Sequence, residues 1–325
     1  MTLKKLAEAT GTSISTVSKA FSGSREISED TRERIFRIAK EMGCFEKYRK
    51  SPSSRPLIAL LFPEAESEYY ARCIGLLEKE IAAWGGNTVV ALTRFDPERT
   101  AHLFSELVYR ARVDGVILSG NGELIKNPDE IPLVAYGSSH TCPMNADKVY
   151  IGMEGGIRDL VGLIKEYGYR KVGFIGEHHT GTTLSYLKAA MRYHGLPVYR
   201  EYIVETEARF AAAGAQGFEA LLRRPSLPEV IVAGYDYIAY GAMKQAKLHG
   251  YRIPDDIAFI GIDDLSTADY LDVPLTSLHT HVEDIVKTVV ELVFKRIENR
   301  HYRERREIVV PVTVSLRDSF GRCKK

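Results

Sequence analysis

The first 43 residues, MTLKKLAEATGTSISTVSKAFSGSREISEDTRERIFRIAKEMG, constrain the chain more than any other stretch, because three short runs of helical spacing are separated there by turn signals. Leu3, Leu6 and Ala7 give a first helix one apolar side, and Gly11 then supplies the backbone freedom that a tight turn needs. Ser13 is a good N-cap for a second helix running from Ile14 to Phe21. After a Ser-Gly loop, Ser28 caps a third, whose Ile35, Ile38, Ala39 and Met42 recur at helical intervals. Helix, glycine turn, helix is the pattern of a helix-turn-helix unit. The outer side of its second helix carries short polar side chains and a lysine, which suits the major groove of DNA.

The run TLKKLAEATGTSISTVSKAFSGS…ISEDTRERIFRIAKEMG resembles the DNA-binding head of the LacI/GalR family of bacterial transcription regulators. The match rests on Thr16-Val17-Ser18-Lys19 and on Ser28-Glu29-Asp30-Thr31-Arg32-Glu33-Arg34-Ile35. The resemblance implies that Ile14, Ser15 and Lys19 read bases. It implies too that Ser13, Thr16 and Ser18 hold phosphates, which set register without carrying sequence information. Leu6, Val17 and Ile35 are expected in the head's core, and Ser22 stands where the family usually has asparagine.

From Leu57 the period changes. LIALLFP is a continuous apolar run of strand length, as in a parallel strand covered on both faces. Strand and helix signals then alternate: helices are expected near 69–84, 97–112, 155–167, 182–194 and 236–249. Strands are expected at TVVAL, near 116–118, 131–136, 148–151, 171–175, 230–233 and 257–262. Such alternation means crossover units and parallel sheets. It occurs twice, and two doubly wound subdomains place a ligand cleft between them at the carboxyl ends of their strands. The expected fold is thus an all-α helix-turn-helix head on an α/β body of two doubly wound parallel-sheet subdomains. The body resembles the LacI-family core and the periplasmic sugar-binding proteins at VDGVIL, YGYRKVGFIG, DYIAYGAMKQAKLHGYRIPDDIAFIGIDD and PLTSL. That resemblance implies a periplasmic-binding-protein-like type I core. The expected division is a head at 1–46, a linker at 47–56 and a core at 57–325. An N-subdomain takes 57–151 and 280–310, and a C-subdomain 152–279 and 311–325, with crossings near Gly152, His279 and Pro311.

The linker region, CFEKYRKSPSSRP, departs from the family, which normally has a leucine-bearing hinge helix there that wedges into the minor groove. No leucine precedes Leu57, and Pro52 and Pro56 resist a continuous helix. Lys47, Tyr48, Arg49 and Lys50 are the expected DNA contacts of this segment, with the basic groups on phosphates. Less kinking of the DNA follows from the missing wedge. Charge agrees: residues 1–55 hold 12 Lys and Arg against 7 Asp and Glu, and the remaining chain 32 against 36. A basic head on a mildly acidic body fits a nucleic-acid reader joined to a sensor.

In the cleft, the resemblance places a ligand-binding carboxylate at Asp263, which can accept two hydroxyl hydrogen bonds, as a sugar would offer. A cap or turn role for Asp263 or Asp264 stays open. Tyr69 and Tyr70 match an aromatic pair that lines the family's cleft. Thr183 stands where an arginine usually starts a helix, and Tyr235 replaces an asparagine; Asp236 reads as a helix N-cap. Losing the arginine removes a charge-assisted grip, while a tyrosine adds a stacking face. The expected effector sites are Tyr69, Tyr70, Thr183, Tyr235 and Asp263. His178-His179, His140-x-Cys142 and His279-x-His281 lack a third ligand, so no metal and no cofactor are expected.

The four cysteines are scattered without a C-x-x-C spacing, and no apolar run approaches bilayer length. No hydrolase elbow, Walker loop, zincin motif or dinucleotide fingerprint occurs, so no enzyme is expected. A solute-binding transport protein lacks the helix-turn-helix, and a regulator without a ligand is the remaining alternative. The expectation is a cytoplasmic repressor, acting as a homodimer on a palindromic operator, modulated by a small molecule, with no membrane partner.

Overall fold

The computed structural model describes residues 2–21, 24, 26–45, 48, 55–127, 131–137, 146–299 and 304–323. The head is built from α1 (Leu3–Thr10), α2 (Ile14–Phe21) and α3 (Glu29–Glu41). Local chemistry sets each boundary. The Thr2 side chain caps α1, which ends at Gly11 in the left-handed conformation, φ 62°. Ser13 Oγ accepts from the Thr16 amide at 3.0 Å, and Ser28 caps α3 through the Thr31 amide. Leu6, Val17, Ala20, Ile35 and Ala39 are fully or almost fully buried against one another. Phe21 extends this core, with its ring 5.1 Å from Phe36, 5.8 Å from Phe45 and 5.9 Å from Tyr48.

The body begins with β1 (Leu57–Phe62), α4 (Glu68–Ala83), β2 (Asn87–Leu92) and α5 (Pro97–Glu106), which runs into a π turn, Leu107–Ala111. Then come β3 (Gly115–Ser119), β4 (Leu133–Gly137) and β5 (Asp147–Gly152). The second half holds α6 (Met153–Glu166), β6 (Val172–Glu177), a 3-10 turn at His178–Thr180, α7 (Gly181–Tyr193), β7 (Ile203–Thr206) and α8 (Phe210–Leu222). It continues with β8 (Val230–Ala233), α9 (Asp236–Leu248), β9 (Ala258–Asp263) and β10 (Thr276–His279). The chain ends through α10 (Val282–Glu298), β11 (Glu307–Pro311) and β12 (Thr313–Ser315).

Two six-stranded sheets result. The first has the order β11-β5-β4-β3-β1-β2 and is wholly parallel. The second has the order β12-β10-β9-β8-β6-β7 and is parallel except for β12. β1 is apolar along its whole length because both its faces are covered: Ile58, Leu60 and Phe62 pack with α4 and α10, Ala59 and Leu61 with α5. The chain leaves the first sheet after Gly152, returns after His279 and leaves again after Pro311.

Differences from the sequence expectation have local causes. No element is expected from periodicity between 195 and 229, yet β7 and α8 lie there. β7 is only four residues long, and α8 carries Gly214 and Gly217 inside its helix. Asp236 is no helix cap. It is fully buried in the first turn of α9, and its carboxylate accepts from the Leu265 amide at 2.7 Å and Ser277 Oγ at 2.6 Å. Tyr48 is half-buried, with its ring packed on Phe21 at the edge of the head core. Lys47, Arg49, Lys50 and Pro52 lie outside the described residues, as do Ser22, His140 and Cys142.

Candidate functional site

Two sites are built from these elements. In the head, the glycine turn sets α2 across α1 with Val17 and Ala20 turned into the core. Helical spacing therefore turns Ile14, Ser15 and Ser18 outward, where all three are exposed, Ile14 by 48%. An isoleucine exposed at the start of such a helix suits apolar contact with a thymine methyl. Ser13 is exposed too; its hydroxyl caps the helix through the Thr16 amide and lies 2.8 Å from the Thr16 hydroxyl. Lys19 is half-buried and ion-paired with Glu26, whose carboxyl it holds below the usual range. Reading a base through Lys19 requires exchanging that partner.

The second site is a cavity of about 370 Å³ between the carboxyl ends of the two sheets. Tyr69, Tyr70, Thr183, Tyr235 and Asp263 all line it. Tyr69 and Tyr70 come from the first turn of α4, Thr183 from that of α7, Tyr235 from the loop before α9, and Asp263 ends β9. The two adjacent aspartates have separate tasks. Asp264 is engaged by His279 Nδ1 at 2.8 Å, Ser315 Oγ at 2.9 Å and Arg317 at 2.6 Å, which joins the strands where the chain crosses. Asp263 faces the cavity, and no described residue donates a hydrogen bond to its carboxylate. Enclosure, and then Asp236 nearby, pushes its carboxyl well above the ordinary range.

Unpaired groups concentrate here. Among the described residues, five buried side-chain polar atoms lack a hydrogen-bond partner, and four of them line this cavity: the hydroxyls of Tyr69, Tyr136 and Thr280, and Nε of Arg209. Buried polar groups are nearly always satisfied, so these atoms need water or a bound molecule in the cavity as partners.

Several lining residues carry no mark in the sequence. Arg209, just before α8, forms a two-bond pair with Glu64 after β1, at 2.9 and 3.2 Å, and so bridges the two subdomains. Its guanidinium lies 4.5 Å from the Phe210 ring centroid and 5.5 Å from that of Phe95. Phe95 stacks on His179 at 3.9 Å, a second bridge, and Glu68 accepts from Ser266 as a third. Burial, in the main, lowers the pKa of His179. Tyr235 Oη accepts from the Phe210 amide at 3.0 Å and lies 3.5 Å from Glu177. The clue available for Arg209 is its place ahead of an apolar helix, which only the β7–α8 unit makes legible. Among the described residues, no group of three or more His, Cys, Asp or Glu is placed to hold a metal, and no helix is long and apolar enough to cross a membrane.

Known proteins share this arrangement. Residues 2–44 match the profile of bacterial regulatory proteins of the lacI family, and residues 161–320 that of the periplasmic binding protein-like domain. The ribose operon repressor of Haemophilus influenzae is 29% identical, with 99% of each chain covered. The HTH-type transcriptional repressor PurR of Mannheimia succiniciproducens is 26% identical over 92% of each. Among solved structures, the transcriptional regulator CelR in its cellobiose complex superposes with a TM-score of 0.71 at 24% identity, covering 98% of this chain and 100% of that one. The lac repressor dimer bound to operator and an anti-inducer gives 0.72 at 19% identity, covering 98% of both. A helix-turn-helix head with an exposed reading face, carried on two parallel-sheet subdomains around a polar cleft, makes this chain a member of the lacI family of bacterial transcription regulators.

Proposed function

We propose that the chain is a cytoplasmic repressor that binds a palindromic operator as a homodimer and responds to a small polyhydroxylated metabolite in the cleft. The cluster of unpaired hydroxyls around Asp263 carries the ligand part of this reading. A carboxyl group without a partner of its own, hydroxyls that both donate and accept, and the rings of Tyr70 and Tyr235 suit the polar edge and apolar face of a sugar-like molecule. The cavity volume suits a mono- or disaccharide-sized ligand. The relative named for the ribose operon and the fold neighbour holding cellobiose support the same class. Anionic metabolites fit less well, because Arg209 is already engaged by Glu64. The reading assigns the cleft a binding role and no catalytic step.

The linker residues Lys47, Arg49 and Lys50 contact phosphates in this proposal, without a leucine wedge at the operator centre. Two recognition helices one helical turn apart give the operator its two-fold symmetry. Selection of operators from a random DNA library by the purified full chain, at stated salt, tests the whole reading. The expected result is a palindrome without a preferred pyrimidine–purine step at its axis, released or tightened by one member of a panel of sugars. A strong central step would show that the linker still kinks DNA, and no enrichment would remove the operator reading.

A further inference from the structure

The head of this chain meets its own core around Arg112 and Tyr109. Arg112 follows the π turn Leu107–Ala111 and reaches into the head. Its guanidinium donates to the carbonyls of Ala20 and Phe21, the C-terminal end of the recognition helix α2. The same group lies 4.8 Å from the Phe36 ring centroid on α3. Beside it, Lys40 of α3 lies 5.4 Å from the ring of Tyr109 in the π turn. A crevice of about 700 Å³ lies beside these contacts, between α3 and residues 105–112.

Three features mark this contact as built. The last carbonyls of a helix have no partner within it and carry the negative end of its dipole, so a guanidinium there is favoured twice. A planar fork spanning two successive carbonyls fixes orientation as well as distance. Arg112 itself has φ 58°, a left-handed conformation at a helix end that glycine normally occupies, and π turns are frequent at functional positions. A non-glycine residue held there against that preference is explained when its side chain has a task.

We propose that Arg112 fixes the placement of each head on its core and thereby sets the half-site spacing that a dimer of this chain accepts. The inference rests on the dimer-on-palindrome reading given above. A head joined to the core by a chain alone reaches half-sites over a range of spacings. A head clamped at the end of its recognition helix reaches them at one. Arg112 touches no DNA in this account, and is a positioning residue for specificity.

The test uses the full chain, as wild type, Arg112→Ala and Arg112→Lys. Affinity is measured at fixed salt on operators that keep the selected half-sites but add or remove one base pair at the centre. Wild type is expected to prefer one spacing. Arg112→Ala is expected to lose about tenfold of that preference while keeping its preference for the half-site sequence, and Arg112→Lys to fall between, having charge without the fork. In the DNA-free proteins, hydrogen exchange of the segments 33–45 and 105–113 is expected to quicken in Arg112→Ala. An equal loss of affinity at every spacing would mean that Arg112 only stabilises the head, and tighter binding at every spacing would mean that it restrains the head from DNA; either overturns the proposal. Unchanged exchange overturns it too, even where wild type selects no operator, an outcome that by itself counts against the repressor reading alone.

Discussion

Among the described residues, those other than glycine with left-handed backbone are Arg94, Phe95, Arg112, Phe210, Asp263, Asp264 and His281, and none is at an arbitrary place. Phe95, Phe210 and Asp263 line the cleft, Arg94 and Asp264 adjoin them, His281 follows a subdomain crossing, and Arg112 holds the head. Strain is confined to positions where direction of a side chain matters more than comfort of the backbone. Asp263 was a candidate in the sequence through the family resemblance, which sets a ligand-binding aspartate just after that strand. The hydrogen bonds that engage Asp264 and leave Asp263 on the cavity come from residues far along the chain, and have no signature in the local sequence. The Glu64–Arg209 bridge was illegible for the same reason: charge pairing across a cleft has no period. Asp263→Asn is expected to weaken effector binding by about ten- to a hundredfold without lowering the melting temperature, since it replaces one of two carboxyl oxygens by an amide donor while no described residue hydrogen-bonds that carboxyl. Asp264→Asn is expected to do the opposite, lowering the melting temperature through His279 and Arg317. Calorimetric titration beside thermal melts separates the two; equal effector affinities for wild type and Asp263→Asn would remove Asp263 from the site.

Elements with a clean period were readable from sequence. α1, α2 and α3, the strand at 57–62 and the helix beginning near 69 follow from spacing and caps, because burial of one face dictates the residues. β7 and α8 did not follow, since glycines inside a helix look like a loop. Here they serve close packing. A Cβ on Gly214 of α8 would stand 1.9 Å from the Ile238 carbonyl of α9, and one on Gly241 of α9 would stand 1.9 Å from the Ala211 carbonyl of α8. The two helices thus meet backbone to backbone, which no side-chain rearrangement can accommodate. Gly214→Ala, mild on most helices, is therefore expected to cost about 3 kcal/mol or more, at or beyond the upper end of overpacking effects. Urea unfolding of the full chain measures it, and a variant as stable as wild type would show that the helices can separate freely.

For the whole molecule, the double strand–helix alternation announced two sheets, while the linker's departure from the family pattern stays a matter for DNA binding. Stability as a function of pH is also a property of the whole. Burial raises the Asp236 carboxyl from its ordinary 3.8 to about 7. The folded chain then keeps that proton up to about pH 7, whereas the unfolded chain releases it near pH 4. Stability contributed by this group is greatest below pH 4 and is lost as pH rises from about 4 to about 7. Asp263 acts in the same direction. Urea midpoints between pH 4 and 8 are expected to show a shallower fall for Asp236→Asn than for wild type; parallel curves would count against it. The three crossings at Gly152, His279 and Pro311 have a mechanical meaning. A single strap would let one lobe swing in any direction, but three side by side form a joint with essentially one degree of freedom. Opening and closing of the cleft is then the motion the joint leaves easiest, and lobes hinged in this way would pass any change in the cleft on as a rotation rather than as a free swing.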